Sequence, residues 1–226
     1  MSTAIVTGSS RGLGLALADK LIEEGWTVVI DARGKDDLME AASKLGTGVI
    51  AIPGDVTDED HRLRLVQAAV GSGGLDLLVN NASILGPSPQ PRLVDYPLDV
   101  LREVFEANVF APLALARKAL PLLEASRGIL INITSDAAVE PYEGWGGYGS
   151  SKAALEQLSN ILAAEHPDVA VYWVDPGDMN TRMHQEAFPG EDISDRPPPS
   201  VSVPGLMELI RNRPESGRYL AREVAA

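Results

Sequence analysis

The chain has 226 residues, enough for one large domain with a substantial core, and is 45% hydrophobic and 23% charged. Its 19 basic and 32 acidic residues give a net charge of −13, which argues against a broad surface for nucleic acid or anionic membrane. Because there is no cysteine, a disulfide framework, thiolate chemistry and cysteine-based metal sites are excluded.

The first apolar segment begins close to Met1, so we expect no signal peptide. No apolar run approaches the ~18 residues of a membrane span. The sequence therefore predicts a cytoplasmic protein without membrane or nucleic-acid partners. The three histidines are scattered along the chain and are expected to be surface or structural residues, with no metal site.

The N-terminal stretch predicts a nucleotide-binding turn. Residues 4–7 form a short apolar run, a glycine-rich segment follows, and apolar residues then recur at helical spacing through residue 21. A strand, a glycine turn and a helix place free backbone N–H groups around one point, which attracts phosphate. We expect Gly8 to form the tight turn, Gly12 to allow close approach of the backbone, and Gly14 to allow close packing of helix on strand.

Strands and helices then alternate along the rest of the chain. Strands are predicted over residues 27–30, 48–52, 75–79, 128–133, 169–174 and 217–221, and helices over residues 37–45, 58–70, 98–124, 148–165 and 201–211. Asp58 is expected to cap its helix, and Pro112 to bend or break the long one. The alternation predicts one α/β domain over residues 1–226, with a doubly wound, Rossmann-like parallel sheet of about seven strands and helices on both faces.

Residues 178–200 interrupt this alternation. The segment is rich in proline and acidic residues, so we expect a loop with little regular structure. We expect it to act as a lid that becomes ordered when cofactor and substrate bind.

Three residues in the second half suggest acid–base chemistry. Tyr148 and Lys152 are four apart at the start of a predicted helix and therefore share one face. An ammonium within reach of a phenol favours the phenolate and lowers its pKa, which suits proton exchange with an alcohol or carbonyl oxygen. Alone, this spacing is also that of an ordinary solvated pair, but Ser135 follows the fifth strand, where parallel sheets carry their functional loops.

These motifs together resemble the short-chain dehydrogenase/reductase family. The glycine loop of residues 7–14, Asn80-Asn81-Ala82, Ser135, and Tyr148 with Lys152 occur in the family's order, and Asp55-Val56, Asn108 and Asp175-Pro176-Gly177 also match. The resemblance implies that Tyr148 is the acid/base and that Lys152 lowers its pKa and binds the nicotinamide ribose. It also implies that Ser135 holds the substrate oxygen and that Asn108 anchors a water in the proton relay.

The same resemblance implies the cofactor contacts. They would be made by Gly8, Ser10, Arg11, Gly12, Leu13, Gly14, Asp55, Val56, Asn81, Ala82, Tyr148, Lys152, Pro176 and Gly177. The chain departs from the family pattern at Ser83, where glycine is more usual, at Asp136 beside the serine, and in its short, proline-rich loop after Gly177. Trp145 and Tyr142 are candidates for the wall of a substrate pocket.

The end of the second strand carries opposing indications of cofactor choice. An acidic residue there binds the ribose of NAD, whereas an arginine accommodates the phosphate of NADP. Asp31 and Arg33 both lie in this region, but the family's discriminating acidic position falls on Ala32. Arg33 and Arg11 together suit a phosphate dianion, so NADP(H) is the predicted cofactor and NAD(H) stays open.

The sequence thus predicts an NADP(H)-dependent oxidoreductase that interconverts a small-molecule carbonyl and a secondary alcohol. The alternatives are a non-catalytic NADP-binding regulator or scaffold, and an epimerase or dehydratase, for which the C-terminal part is small. A homodimer or homotetramer is expected through the helices of residues 98–124 and 148–165. Both helices carry more apolar residues than one buried stripe requires. Examples on the first are Leu113, Leu115, Leu120, Leu122 and Leu123.

Overall fold

A parallel sheet of seven strands organises the protein, in the order β3-β2-β1-β4-β5-β6-β7. The structure, a computed structural model, describes residues 2–224. The strands are β1 (Thr3–Val6), β2 (Thr27–Ala32), β3 (Val49–Pro53), β4 (Leu77–Asn80), β5 (Ile129–Ile133), β6 (Ala170–Asp175) and β7 (Gly217–Leu220). The helices are α1 (Gly12–Glu23), α2 (Lys35–Leu45), α3 (Glu59–Gly71), α4 (Leu98–Phe105), α5 (Ala111–Ser126), α6 (Gly146–Glu165), α7 (Arg182–Ala187), α8 (Val203–Asn212) and α9 (Ala221–Val224).

The two faces of the sheet carry separate hydrophobic cores because side chains alternate along each strand. Ala4 and Val6 point to the face covered by α1, α2 and α8, whereas Ile5 points to the face covered by α3, α5 and α6. The central strands are buried on both sides, which is why their sequences are nearly continuous apolar runs. The predicted doubly wound fold is confirmed.

The order of connections reverses between β1 and β4, which are neighbours in the sheet. Loops diverge at such a switch point and leave a crevice at the carboxyl ends of the strands. The glycine loop after β1, the asparagines after β4 and the serine after β5 therefore meet at one edge of the sheet.

The long helix predicted over residues 98–124 is divided. α4 and α5 are separated by a π-helical turn, Glu106–Phe110, and Pro112 lies in the first turn of α5, where a missing N–H costs nothing. The predicted interruption is confirmed, although it falls before the proline.

Asp58 also caps α3 as predicted, since its carboxylate accepts a hydrogen bond from the backbone N–H of His61 at 2.6 Å.

The prediction of little regular structure over residues 178–200 is wrong for α7. The side chain of Thr181 caps this short helix by accepting a hydrogen bond from the backbone N–H of His184. Asn180 and Pro197 join the two arms of the segment through a backbone hydrogen bond of 2.8 Å. The segment is thus a folded loop that carries one helical turn.

The leucines of α5 do not form the surplus apolar surface that the sequence suggested. Leu115, Leu120 and Leu123 are buried in the core under α5, and Leu113 and Leu122 pack against that core while partly buried. A helix lying against a sheet buries a wider stripe than one row of side chains, which accounts for this part of the apolar content.

Candidate active site

A cleft of about 1430 Å³ runs along the carboxyl ends of the strands at the switch point. With two exceptions, Gly14 and Asn108, every residue predicted to be catalytic or to contact the cofactor lines this cleft. The predicted residues that line it are Gly8, Ser10, Arg11, Gly12, Leu13, Arg33, Asp55, Val56, Asn81, Ala82, Ser135, Tyr148, Lys152, Pro176 and Gly177. Contacts within the protein show what each part of the cleft contributes.

The glycine loop has a conformation that a side chain would prevent. Gly8 has φ of +68°, and a Cβ atom there would lie 2.9 Å from the Cα atom of Ala82. A Cβ atom at Gly14 would lie 2.6 Å from the side-chain nitrogen of Asn81, so Gly14 serves the packing of α1 on the loop rather than lining the cleft. Gly12 faces open space, because within the described part of the chain its would-be Cβ atom meets only Thr181, at 3.8 Å.

Asn81 fastens this loop to the end of β4. Its side-chain amide donates hydrogen bonds to the carbonyl oxygens of Thr7 at 2.8 Å and Gly8 at 3.1 Å. The hydroxyl of Thr7 accepts hydrogen bonds from the backbone N–H groups of Asn81 and Ala82, each at 3.0 Å. The loop is therefore held in shape within the free protein.

Asp31 supports the glycine loop from below and does not face the cleft as a free carboxylate. It is 1% exposed, and its Oδ1 accepts a hydrogen bond from the backbone N–H of Gly8 at 2.7 Å. Its Oδ2 lies 2.8 Å from Nε2 of the fully buried His61, which occupies the space left by Gly54. Burial raises the pKa of Asp31, and the hydrogen bonds from His61 and Gly8 oppose that rise.

The two arginines at the same end of the cleft differ in their surroundings. Arg33 is exposed and has no hydrogen bond or ion pair with any residue from 2 to 224. Arg11 forms an exposed ion pair of 2.7 Å with Asp37. Exposed pairs of this kind contribute about 1 kcal/mol or less, so a phosphate could displace the carboxylate at small cost.

Tyr148 and Lys152 lie one turn apart at the start of α6, as predicted. Tyr148 is buried at the wall of the cleft, and Nζ of Lys152 lies 5.4 Å from the centre of its ring. Nζ also donates a hydrogen bond of 2.8 Å to the carbonyl oxygen of Ile133.

The pKa of Tyr148 moves in the direction opposite to our expectation. Burial raises it, and a hydrogen bond with Ser83 opposes the rise, so the phenol of the free protein stays protonated at neutral pH. Burial also lowers the pKa of Lys152 to about 7, so its positive charge is only partly present at neutral pH. Desolvation therefore outweighs the attraction that the four-residue spacing suggested.

Ser135 begins the loop after β5 and is joined to its neighbour Asp136. Its hydroxyl donates a hydrogen bond of 2.9 Å to Oδ1 of Asp136 and accepts one from the backbone N–H of Ala137 at 3.1 Å. Oδ2 of Asp136 accepts a hydrogen bond from the hydroxyl of Tyr142 at 3.0 Å. Tyr142 does not line the cleft, whereas Trp145, the other predicted wall residue, does.

Asn108 is fully buried in the π-helical turn and connects three elements. Its amide oxygen accepts hydrogen bonds from the backbone N–H of Ile84 at 2.8 Å and the hydroxyl of Ser83 at 3.0 Å. Its amide nitrogen donates to the carbonyl oxygen of Ile84 at 2.9 Å and the hydroxyl of Ser151 at 3.0 Å. Because these four bonds use the whole capacity of an amide, the side chain of Asn108 has no position left for the predicted water.

Arg218 of β7 also supports the site, although its role was not predictable from the sequence. Its guanidinium donates to the side chain of Glu156 at 3.0 Å, to that of Asp175 at 3.4 Å and to the carbonyl oxygen of Ser135 at 3.3 Å. It thereby joins the serine loop to the loop of Pro176 and Gly177. No local motif marks an arginine that reaches the site from a strand 83 residues further along the chain.

The folded loop of residues 178–200 closes one side of the cleft. Met179, Thr181 and Met183 line the cleft there, beyond Gly177. A lid was predicted for this segment from the sequence. None of its side chains was predicted to line the cleft, because no motif distinguishes one lid residue from another.

Residues 2–224 lack two kinds of feature. No helix there has the length and hydrophobicity needed to cross a membrane. The same residues contain no group of three or more histidine, cysteine, aspartate or glutamate side chains placed to hold a metal ion.

The family assignment follows from comparison with known proteins. The short chain dehydrogenase family matches residues 2–192, and the chain therefore belongs to that family and is an oxidoreductase. An uncharacterized oxidoreductase of Saccharomyces cerevisiae is 32% identical over 225 residues, which are 98% of this chain and 85% of the relative. Serine 3-dehydrogenase of Agrobacterium fabrum is 34% identical over 185 residues, 80% of this chain and 73% of the relative.

A solved structure agrees over the whole chain. The alcohol dehydrogenase of the archaeon Thermococcus sibiricus, in complex with 5-hydroxy-NADP, has a TM-score of 0.88 and 25% sequence identity. The match covers 100% of this chain and 98% of that one. A protein of the same fold has thus been solved with a derivative of NADP bound.

Proposed function

We propose that this protein reduces a carbonyl compound to a secondary alcohol, or catalyses the reverse reaction, with NADP(H) as cofactor and Tyr148 as acid/base. The observation that carries the proposal is the placement of Ser135, Tyr148 and Lys152 on the same cleft as the glycine loop. A non-catalytic binding protein would need the loop but not the three side chains.

The cleft fits a dinucleotide at its glycine end. The N-terminus of α1 opens there beside Gly12, where no side chain obstructs approach, and a helix N-terminus attracts phosphate. The carboxylate of Asp31 is already hydrogen-bonded to the backbone N–H of Gly8 and to the ring of His61, so it is not available to bind a ribose hydroxyl. Arg33 is exposed and unpaired among the described residues, which favours the phosphate of NADP(H).

The protonation state of the free protein suits carbonyl reduction. When bound, the nicotinamide supplies or accepts the hydride. Tyr148 holds its proton at neutral pH and donates it to the carbonyl oxygen as negative charge develops there. Ser135 donates its hydroxyl hydrogen bond to the same oxygen after turning from Asp136. Protonated Lys152 then stabilises the phenolate that remains.

The proposal is tested with a panel of aldehydes and ketones, each mixed with the purified protein and NADPH. We expect consumption of NADPH, followed by its absorbance, with at least one class of ketone. The same panel with NADH measures cofactor preference. NADPH binding without turnover across the panel, and across the matching alcohols with NADP, would instead support the alternative of a binding regulator or scaffold.

The names of similar proteins suggest which compounds to include in this panel. The names of the similar proteins include a serine dehydrogenase and an alcohol dehydrogenase, so hydroxy compounds with small polar groups belong in the panel beside simple alcohols.

A further inference from the structure

Asp136 places a carboxylate directly beside the group proposed to hold the substrate oxygen. Its two oxygens accept hydrogen bonds from the hydroxyls of Ser135 and Tyr142, at 2.9 and 3.0 Å, and from the backbone N–H of Ala137 at 2.8 Å. The carboxylate lines the cleft and is fixed in position by these contacts.

The negative charge of Asp136 has no cationic partner among residues 2–224. Its three hydrogen-bond donors are all neutral, and it forms no ion pair there. Asp178, on the lid side of the cleft, differs because Arg196 lies 3.6 Å from its carboxylate. Arg218, behind the serine loop, is shared between Glu156 and Asp175. Asp136 therefore contributes to the cleft a negative charge that no ion pair with residues 2–224 offsets.

A substrate bound to Ser135 would lie within the range of this charge. A carbonyl oxygen hydrogen-bonded to the serine hydroxyl lies about 3 Å from it, and is therefore within about 6 Å of Oδ1 of Asp136. Asp136 is exposed, so water screens part of its charge, and at that distance the charge changes binding by about tenfold.

A cluster of aromatic rings begins at Tyr142, the tyrosine whose hydroxyl donates a hydrogen bond to Asp136. The ring of Trp145, which lines the cleft, lies 6.3 Å from that of Tyr142 and 5.8 Å from that of Phe188, measured between centroids. Aromatic faces attract ammonium groups and offer nothing to a carboxylate. The rings and the carboxylate therefore favour the same sign of charge on a ligand.

We infer that Asp136 determines substrate specificity by charge: the cleft prefers carbonyl compounds that carry an ammonium group, together with their amino alcohol products, over those that carry a carboxylate. This inference rests on the proposed function of the cleft. It concerns which carbonyl compounds are used, not whether hydride transfer occurs.

The test uses methyl ketones of equal chain length. One carries a trimethylammonium group and is compared with its tert-butyl isostere, and another carries a carboxylate and is compared with its methyl ester. For each ketone, kcat/KM is measured with NADPH for the wild type, Asp136→Asn and Glu140→Gln. Glu140 is an exposed carboxylate of the same loop that does not line the cleft, so its variant is the matched control.

We expect the wild type to prefer the ammonium ketone to its isostere and the ester to the carboxylate. Asp136→Asn should reduce each preference about tenfold, and Glu140→Gln should retain both. Each preference is a ratio within one variant, so a general loss of activity through Ser135 cancels. Equal preferences in wild type and Asp136→Asn would overturn the inference.

A binding measurement separates this inference from the proposed function. Calorimetry with NADP-bound protein compares a quaternary ammonium alcohol with its tert-butyl isostere. Charge-dependent binding that Asp136→Asn removes, without turnover of any ketone, would uphold the inference and contradict the proposed function. Turnover with no charge preference in either measurement would contradict the inference alone.

Discussion

At the scale of single residues, burial decides the chemistry of the site. Tyr148 and Lys152 are both removed from water, and burial shifts the pKa of each group toward its neutral form. The resemblance predicted which residues meet, but the direction of their pKa shifts depends on side chains that pack around them from other parts of the chain. Local spacing carries no information on such desolvation.

The pH dependence of carbonyl reduction should reflect Lys152. Because the pKa of Lys152 is lowered to about 7, its charge is present below that pH and is lost as the pH rises through it. We therefore expect kcat/KM for NADPH to fall above pH about 7, since this ratio reports groups of the free enzyme. Lys152→Arg keeps the charge and should move the fall to higher pH. A wild-type profile that stays flat between about pH 6 and 9 would contradict the role of this lysine.

Cofactor choice is also decided by single side chains. Arg33→Ala removes a guanidinium that has no partner among residues 2–224, and should raise KM for NADPH about tenfold while changing KM for NADH by less than about twofold. Arg117→Ala, on the exposed side of α5 and away from the cleft, is the control. Equal losses with both cofactors, or a higher wild-type kcat/KM with NADH, would show that the predicted preference for NADP(H) is wrong.

At the scale of elements, the sequence predicts regular segments well and their interruptions less well. The glycine loop was predictable because steric rules act within a few residues. The pairing of Asp31 with His61, 30 residues apart, was not, because it depends on how β2 and α3 pack. The six residues of α7 were missed since a short polar helix lacks apolar periodicity and depends on its cap at Thr181.

The segment of residues 178–200 is proposed to be the lid of the cleft. In the free protein it is held by a few contacts, such as the hydrogen bond from the hydroxyl of Ser88 to the carbonyl oxygen of Glu186. We expect its amide hydrogens to exchange more slowly when NADP(H) and substrate are bound, because closure adds contacts. The central strand β4 serves as internal reference. Equal exchange of the segment in the free and ternary states would argue against closure.

At the scale of the whole molecule, assembly into a homodimer or homotetramer stays a prediction, as does a cytoplasmic location. Leu115, Leu120 and Leu123 are core residues, and Leu113 and Leu122 pack against that core. Other apolar side chains in or close to the two helical regions are exposed. They are Leu93, Val94, Leu98 and Phe110 before and within the π-helical turn, and Ile161 on α6. Their exposure gives the prediction a different basis.

Light scattering tests this prediction directly. We expect the wild type to be a dimer or tetramer at micromolar concentration, and Phe110→Glu to shift it toward monomer by placing a charge in the interface. Val70→Glu introduces the same charge on α3, where the side chain is also exposed, and should leave assembly unchanged. A wild-type monomer under these conditions would defeat the prediction.

The central claim is that the hydroxyl of Tyr148 transfers the proton, and removal of that hydroxyl tests it most directly. Tyr148→Phe should lower kcat for ketone reduction at least about 100-fold, the usual contribution of a positioned acid. Its Kd for NADPH, measured by fluorescence titration, should stay within about twofold of wild type because the ring still packs. Tyr219→Phe, the same change on β7 away from the cleft, should keep wild-type kcat. If purified Tyr148→Phe reduces the ketone at the wild-type rate, another group supplies the proton and the proposed mechanism is wrong.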